Sequence, residues 1–131
     1  VSPEDFYLVD LPGYGYAQVP DAIRRHWQAL MERYLRERAA LQGLLLLVDV
    51  RHPLTGLDRQ LLDCRAARGL PVHILLTKAD KLSRGKALVA LRHLERTLRA
   101  DSPGVSAQLF SALSGEGIDE ALAQLDRWLG Y

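Results

Sequence analysis

Cysteine is nearly absent from this 131-residue chain, and Cys64 alone excludes an internal disulfide. It lies in a helical pattern and reads as a small, buried apolar residue rather than a reactive thiol, which points to a cytosolic setting. An excess of charge is missing too: 17 Lys and Arg stand against 16 Asp and Glu, a formal net charge of +1. That balance encodes no general attraction to nucleic acid or membrane, so any contact with RNA needs a local patch. Long apolar runs are also lacking. The longest, Leu44 to Val48, is far too short to cross a bilayer, and no charged-then-apolar leader opens the chain, so no membrane partner is expected. His26, His52, His73 and His93 are scattered without metal-ligand spacing and read as ordinary surface or strand residues. No repeat, linker or low-complexity segment is evident. What is present is a composition 48% apolar, enough to bury a core in one domain or most of one.

Short apolar segments rich in branched residues alternate with helical patterns, which predicts an α/β fold with a mostly parallel sheet. The strands are expected at about Phe6 to Asp10, Leu44 to Val50, Val72 to Thr77 and Ala107 to Phe110. Their near-continuous apolar character predicts burial on both faces beneath helices. A first helix is expected from about Asp21 to Leu41, with Ile23, Trp27, Leu30, Tyr34 and Leu35 as its apolar stripe and Gly43 just beyond. Its arginines interleave with Glu32 and Glu37 and read as a solvated face. The second helix should start at Thr55, capped with Asp58, bury Leu57, Leu61 and Leu62, and end at Gly69. A third, from about Arg84 to Ala100, should take Ser83 as N-cap and bury Leu88, Leu91, Leu94 and Leu98. The last should start near Ile118 and bury Ile118, Leu122, Leu125 and Leu129.

Ligands of open α/β sheets bind beyond the carboxyl ends of the strands, so chemistry is sought there. Thr77-Lys78-Ala79-Asp80 follows the apolar run Val72 to Leu76. A carboxylate expected at the end of a buried strand is costly and needs a task. An ionised Asp80 is acceptor-only and matches the N1–H and 2-amino donors of guanine, while the Lys78 stem can lie over the base plane. The plainer alternative is a capping aspartate beside a solvated lysine. Asp10-Leu11-Pro12-Gly13 places a carboxylate suited to a metal-bound water before a glycine whose N–H can approach a phosphate, although Asp-Pro-Gly is also a common turn. Phe110-Ser111-Ala112 ends the fourth strand with small residues whose amides can reach a base carbonyl. Arg51-His52-Pro53 lies at the same rim and reads equally as a contact to a moving loop or partner, or as a turn with a proline stop.

In order, D-L-P-G, T-K-A-D and F-S-A resemble the third, fourth and fifth guanine-nucleotide motifs of small GTPases. The run Leu8 to Ala17, then Arg51-His52-Pro53-Leu54-Thr55 with Leu57-Asp58, and Leu75 to Leu82, are similar to the EngB (YihA/YsxC) family of bacterial ribosome-biogenesis GTPases, over essentially the whole chain. The resemblance implies a P-loop GTPase fold, a small G domain of three α/β/α layers. Residues 1–131 would be the C-terminal portion of a single such domain, without the phosphate-binding loop G-x-x-x-x-G-K-[ST] and the first switch. It implies GTP or GDP as ligand, with Asp10, Leu11, Pro12, Gly13, Thr77, Lys78, Ala79, Asp80, Phe110, Ser111 and Ala112 at the nucleotide. It implies Mg2+ supported by Asp10 through water, and slow GTP hydrolysis. Partners would be a precursor of the large ribosomal subunit, with its rRNA and ribosomal proteins. A cytoplasmic monomer needed for cell division and septation is expected.

The loop from Tyr14 to Val19 is the expected switch. Tyr14 stands where many GTPases place a water-orienting glutamine, so no certain catalytic residue is present and the chain alone is expected to be inactive. In that family the strand before the phosphate loop lies between the strands ending at Asp10 and Asp49-Val50. These 131 residues would therefore have a gap in their sheet and fold poorly by themselves. Two other classes fit less of the pattern. One is a non-catalytic α/β interaction module without a phosphate loop. The other is a receiver or dinucleotide-binding domain, for which G-x-G-x-x-G is missing.

Overall fold

A computed structural model describes residues 7–10 and 20–130. Three strands, β1 (Leu44–Asp49), β2 (Val72–Thr77) and β3 (Val105–Leu109), form one sheet in that order. Both pairings are parallel, with Leu46 opposite Ile74 and Ile74 opposite Ala107. Helices α1 (Asp21–Glu37), α2 (Gly56–Ala66), α3 (Arg84–Asp101) and α4 (Ile118–Leu129) alternate with them.

Successive strand residues face opposite sides of a sheet, and the burial follows that period. Val72, Ile74 and Leu76 of β2 join Leu46 and Val48 of β1 on one face, where they meet Met31 and Leu35 of α1, Leu61 and Leu62 of α2, and Ala87, Leu94 and Leu98 of α3. The opposite face carries His73, Ser106 and Gln108. There Gln108 Nε2 donates to the Gly117 carbonyl at the start of α4, which makes α4 the third layer. Burial on both faces holds for β2 but not for β1, whose Leu47 is 64% exposed.

Several elements differ from the sequence expectations. The strand predicted over Phe6 to Asp10 does not form in the described part: Tyr7 to Asp10 have no regular structure, and Tyr7 and Leu8 are 80% and 78% exposed. A strand exists only through a ladder with a neighbour, and among the described residues the sheet consists of β1, β2 and β3. Phe6 itself, with Leu11, Pro12, Gly13 and the expected switch from Tyr14 to Val19, lies outside the described residues.

The apolar stripe of α1 keeps the expected Leu35, with Trp27 and Tyr34 half-buried, but takes Met31 in place of Ile23 and Leu30. Met31 and Leu35 are buried, whereas Ile23 and Leu30 are 44% and 51% exposed. The helix also stops at Glu37 rather than Leu41. The last carbonyls of a helix need donors, and here the guanidinium of Arg68, just past α2, donates to the carbonyls of Leu35 and Arg38 at 2.9 Å and of Leu41 at 3.4 Å.

On α4 Leu125 and Leu129 are half-buried in line with the expectation, joined by buried Ala121 and half-buried Trp128, whereas Ile118 and Leu122 are 40% and 53% exposed. The Trp128 ring comes within 2.5 Å of where a Cβ on Gly43 would stand, so Gly43 serves as the seat of that ring. Finally, β3 begins and ends slightly earlier than expected, at Val105–Leu109.

Other readings hold. Thr55 and Asp58 form a reciprocal capping box on α2, with the Thr55 N–H donating to Asp58 Oδ2 at 3.0 Å, and Ser83 Oγ accepts from the Lys86 N–H at 3.3 Å. Cys64 is half-buried against the core, and burial pushes its thiol pKa up, away from the reactive thiolate.

Arg68→Ala removes the donors that close the end of α1. It is expected to lower stability by about 1–2 kcal/mol, read by urea unfolding of the full-length gene product.

Candidate functional site at the strand carboxyl ends

Because all three strands run parallel, their carboxyl ends share one edge of the sheet. The ladder continues past the strands and ties these ends together. The Val50 N–H donates to the Thr77 carbonyl at 3.0 Å, the Phe110 N–H to Leu76 at 2.9 Å, and the Ala79 N–H to Phe110 at 3.1 Å. Thr77 adds a side-chain bond, its hydroxyl donating to the Val48 carbonyl at 3.3 Å.

The four residues of the central motif divide into anchors and presented groups. Thr77 is tied to β1, and Ala79 is buried in the core. Lys78 and Asp80 are exposed. Lys78 adopts the left-handed conformation, φ 59°, before a 3-10 turn over Ala79–Lys81. A non-glycine residue there is uncommon and is held by its surroundings. The carboxylate of Asp80 is thus not a buried group seeking compensation, as its place after an apolar strand suggested. The turn carries it out to solvent.

What fixes Asp80 is Ser111. That serine is fully buried, its hydroxyl donates to Asp80 Oδ1 at 2.7 Å, and it accepts from the Ser114 N–H at 3.2 Å. The Ser111 bond holds the Asp80 carboxyl below its ordinary pKa, with smaller contributions from its own backbone N–H, Lys81 and Arg51. Phe110 is half-buried and Ala112 exposed, so the F-S-A segment does lie beside T-K-A-D.

The loop carrying Ser111 is held by a polar network that the sequence reading did not detect. Gln108 Nε2 donates to the carbonyls of Leu109 and Gly117, at 3.1 and 2.7 Å. Its Oε1 is therefore the acceptor for His73 Nε2–H at 2.7 Å, which leaves His73 Nδ1 to accept from Ser106 Oγ at 2.6 Å. The Ser111 N–H closes the loop onto the Glu116 carbonyl at 2.9 Å. Gly117, with φ 84°, has no room for a side chain: a Cβ would stand 2.2 Å from the Leu109 carbonyl oxygen. The only sequence signal for this network was the alternation of polar residues at 106 and 108 opposite His73.

A second undetected element is Asp49, which ends β1. Its carboxylate accepts from Arg51 Nε at 3.0 Å, Nη2 at 2.8 Å and backbone N–H at 2.8 Å, and Lys78 Nζ stands 3.9 Å away. The Arg51 hydrogen bonds hold the Asp49 carboxyl well below the usual carboxylate range. The R-H-P segment is therefore a turn whose arginine folds back on the sheet.

Asp10 is exposed, and among the described residues no group of three His, Cys, Asp or Glu side chains converges as a metal site. These residues alone do not make a metal shell, so no metal step is assigned to them. Among them, too, no helix is long and apolar enough to cross a membrane.

These elements form a layered α/β fold with a parallel sheet and a carboxylate presented after its middle strand, the fold class of part of a P-loop GTPase domain. In agreement, the chain superimposes on translation elongation factor SelB from Methanococcus maripaludis with a TM-score of 0.67, 20% identity, and coverage of 94% of this chain and 25% of that one. The chain is similar in sequence to proteins named EngB. It is 54% identical over 125 residues to the "Probable GTP-binding protein EngB" of Thiobacillus denitrificans, covering 95% of this chain and 60% of that protein. It is 54% identical over 123 residues to that of Aromatoleum aromaticum (94% and 57%), and 50% over 131 residues to that of Stenotrophomonas maltophilia (99% and 65%). The chain thus spans roughly three fifths of the length of these curated relatives. No family model matches it.

Ser111→Ala removes the hydrogen bond that most depresses Asp80, so the Asp80 pKa is expected to rise toward its ordinary value of about 3.9, read by carboxyl carbon NMR titration. The sign for stability follows. A depressed folded pKa contributes stability above the unfolded value and loses it as pH falls through the folded one, so the variant should lose part of that contribution at neutral pH.

Proposed function

We propose that residues 1–131 are the C-terminal portion of a single EngB-type G domain and form the base-recognising part of a guanine-nucleotide site. The observation that carries this reading is the exposed Asp80 carboxylate, depressed in pKa and fixed by a buried serine at the carboxyl edge of the sheet. Asp80 accepts from guanine N1–H and the 2-amino group, and the Lys78 stem lies over the base. The Ser111 N–H is committed to the Glu116 carbonyl, so within this segment it is the Ala112 N–H that donates to the base carbonyl. The pairing rejects bases that lack those donors, because a desolvated carboxylate would be left without partners.

The whole protein, in this proposal, binds GTP, as the relatives' names state of them, and also GDP. It hydrolyses GTP slowly, acts with the large ribosomal subunit precursor, and supports cell division and septation as a cytoplasmic monomer. Asp10, Leu11, Pro12 and Gly13 serve the phosphate end, and magnesium enters only through Asp10, by way of water. No residue is assigned to hydrolysis, and Tyr14 gives no amide to orient water.

Asp80→Asn tests the base site. An amide donates to the 2-oxo group of xanthine where a carboxylate repels it, so GDP affinity should fall at least about tenfold and XDP should bind in preference. Competition titrations of the full-length gene product read both, and unchanged GDP affinity would remove the assignment.

A further inference from the structure

The rim holds a second carboxylate to which base recognition assigns no task. Asp49 is only 23% exposed in its side chain, against 41% for Arg51 and 61% for Lys78, so it is the fixed member of the cluster and the two cations lean on it. Arg51 commits three donors to it, one of them its own backbone N–H. Arg51 is also near enough to Asp80 for its charge to act on that carboxyl.

Four charges, two of each sign, therefore share this edge, with two ways to pair. A guanidinium fork matches a carboxylate in two parallel hydrogen bonds. If Asp49 were absent, Asp80 would be left as the other carboxylate whose charge acts on Arg51, and a fork turned to it would occupy the acceptor oxygens that guanine requires. Lys78 would also lose the anion that restrains its ammonium.

We propose that Asp49 is a positioning residue for guanine binding, holding the Arg51 guanidinium away from Asp80 and keeping Lys78 in place beside the base. This rests on the reading of Asp80 as the guanine acceptor.

The test is a set of titrations of the full-length gene product with a fluorescent GDP analogue, with GDP and IDP as competitors. IDP lacks the 2-amino donor, so the GDP-to-IDP ratio reports whether the Asp80 oxygens are open. Asp49→Ala is expected to weaken GDP about tenfold and to narrow that ratio. Adding Arg51→Ala to it should restore GDP binding to within about threefold of the parent and widen the ratio again, because the competing fork is gone. Two outcomes would overturn the proposal: undiminished GDP binding by Asp49→Ala, or a double variant as weak as the single one. If Asp49→Ala does not melt cooperatively, Asp49→Asn, which keeps the shape and removes the charge, carries the same comparison. Failure of the underlying base-site reading is separately visible, since Asp80→Asn would then leave GDP binding unchanged.

Discussion

Everything at the rim depends on β2 pairing in parallel with both of its neighbours. A parallel ladder fixes not only which strands are adjacent but where they end, and the registers here bring Asp49, Thr77 and the Leu109–Phe110 junction to one edge. A one-residue slip would exchange the two faces of β2. Ile74 and Leu76 would then leave the core, and the His73 contact with Ser106 and Gln108 would be lost. Core burial and site assembly thus select the same register.

The two faces contribute differently. On the α1–α3 face, aliphatic packing supplies the driving force, and Ala79 extends it under the 3-10 turn so that Lys78 and Asp80 stand on a buried footing. On the α4 face, buried polar atoms impose geometry. Gln108 satisfies two carbonyls and a histidine at once, and a buried network of this kind tolerates few alternatives because any lost partner leaves an orphaned polar group. Its output is the position of the loop from Ser111 to Gly117, and through Ser111 the position of Asp80.

The α/β class, three of the strands, the Thr55–Asp58 and Ser83 caps and the T-K-A-D and F-S-A neighbourhood were legible in the sequence, because each rests on local periodicity or on short motifs. The misses are tertiary. Tyr7 to Asp10 read as a strand by composition, yet a strand needs a partner that composition does not supply. Ile23 and Leu30 fit helical periodicity as well as Met31 does, and only the position of α2 decides among them. The Arg68 closure of α1 joins residues some thirty positions apart. Asp49 escaped notice because its partners, Arg51 and Lys78, declare themselves only when β1 and β2 end side by side.

The correction at Asp80 changes the argument for its role. A buried carboxylate would be presumed functional because burial is costly, but an exposed one has no such cost to explain. Its case rests instead on preorganisation. Ser111 uses one lone pair of Oδ1, and each carboxylate oxygen has two, so Asp80 keeps more than enough acceptor capacity for the two donors of the base edge. The same bond removes the rotational freedom that a surface aspartate ordinarily loses on binding, so less ordering entropy opposes the ligand. A capping aspartate would use its oxygens on the backbone N–H groups two or three residues ahead, as Asp49 uses one on Arg51. Asp80 instead takes its positioning bond from a serine on a different strand's loop. That leaves an oriented, ionised acceptor facing solvent, which is the condition recognition of a donor–donor base edge requires.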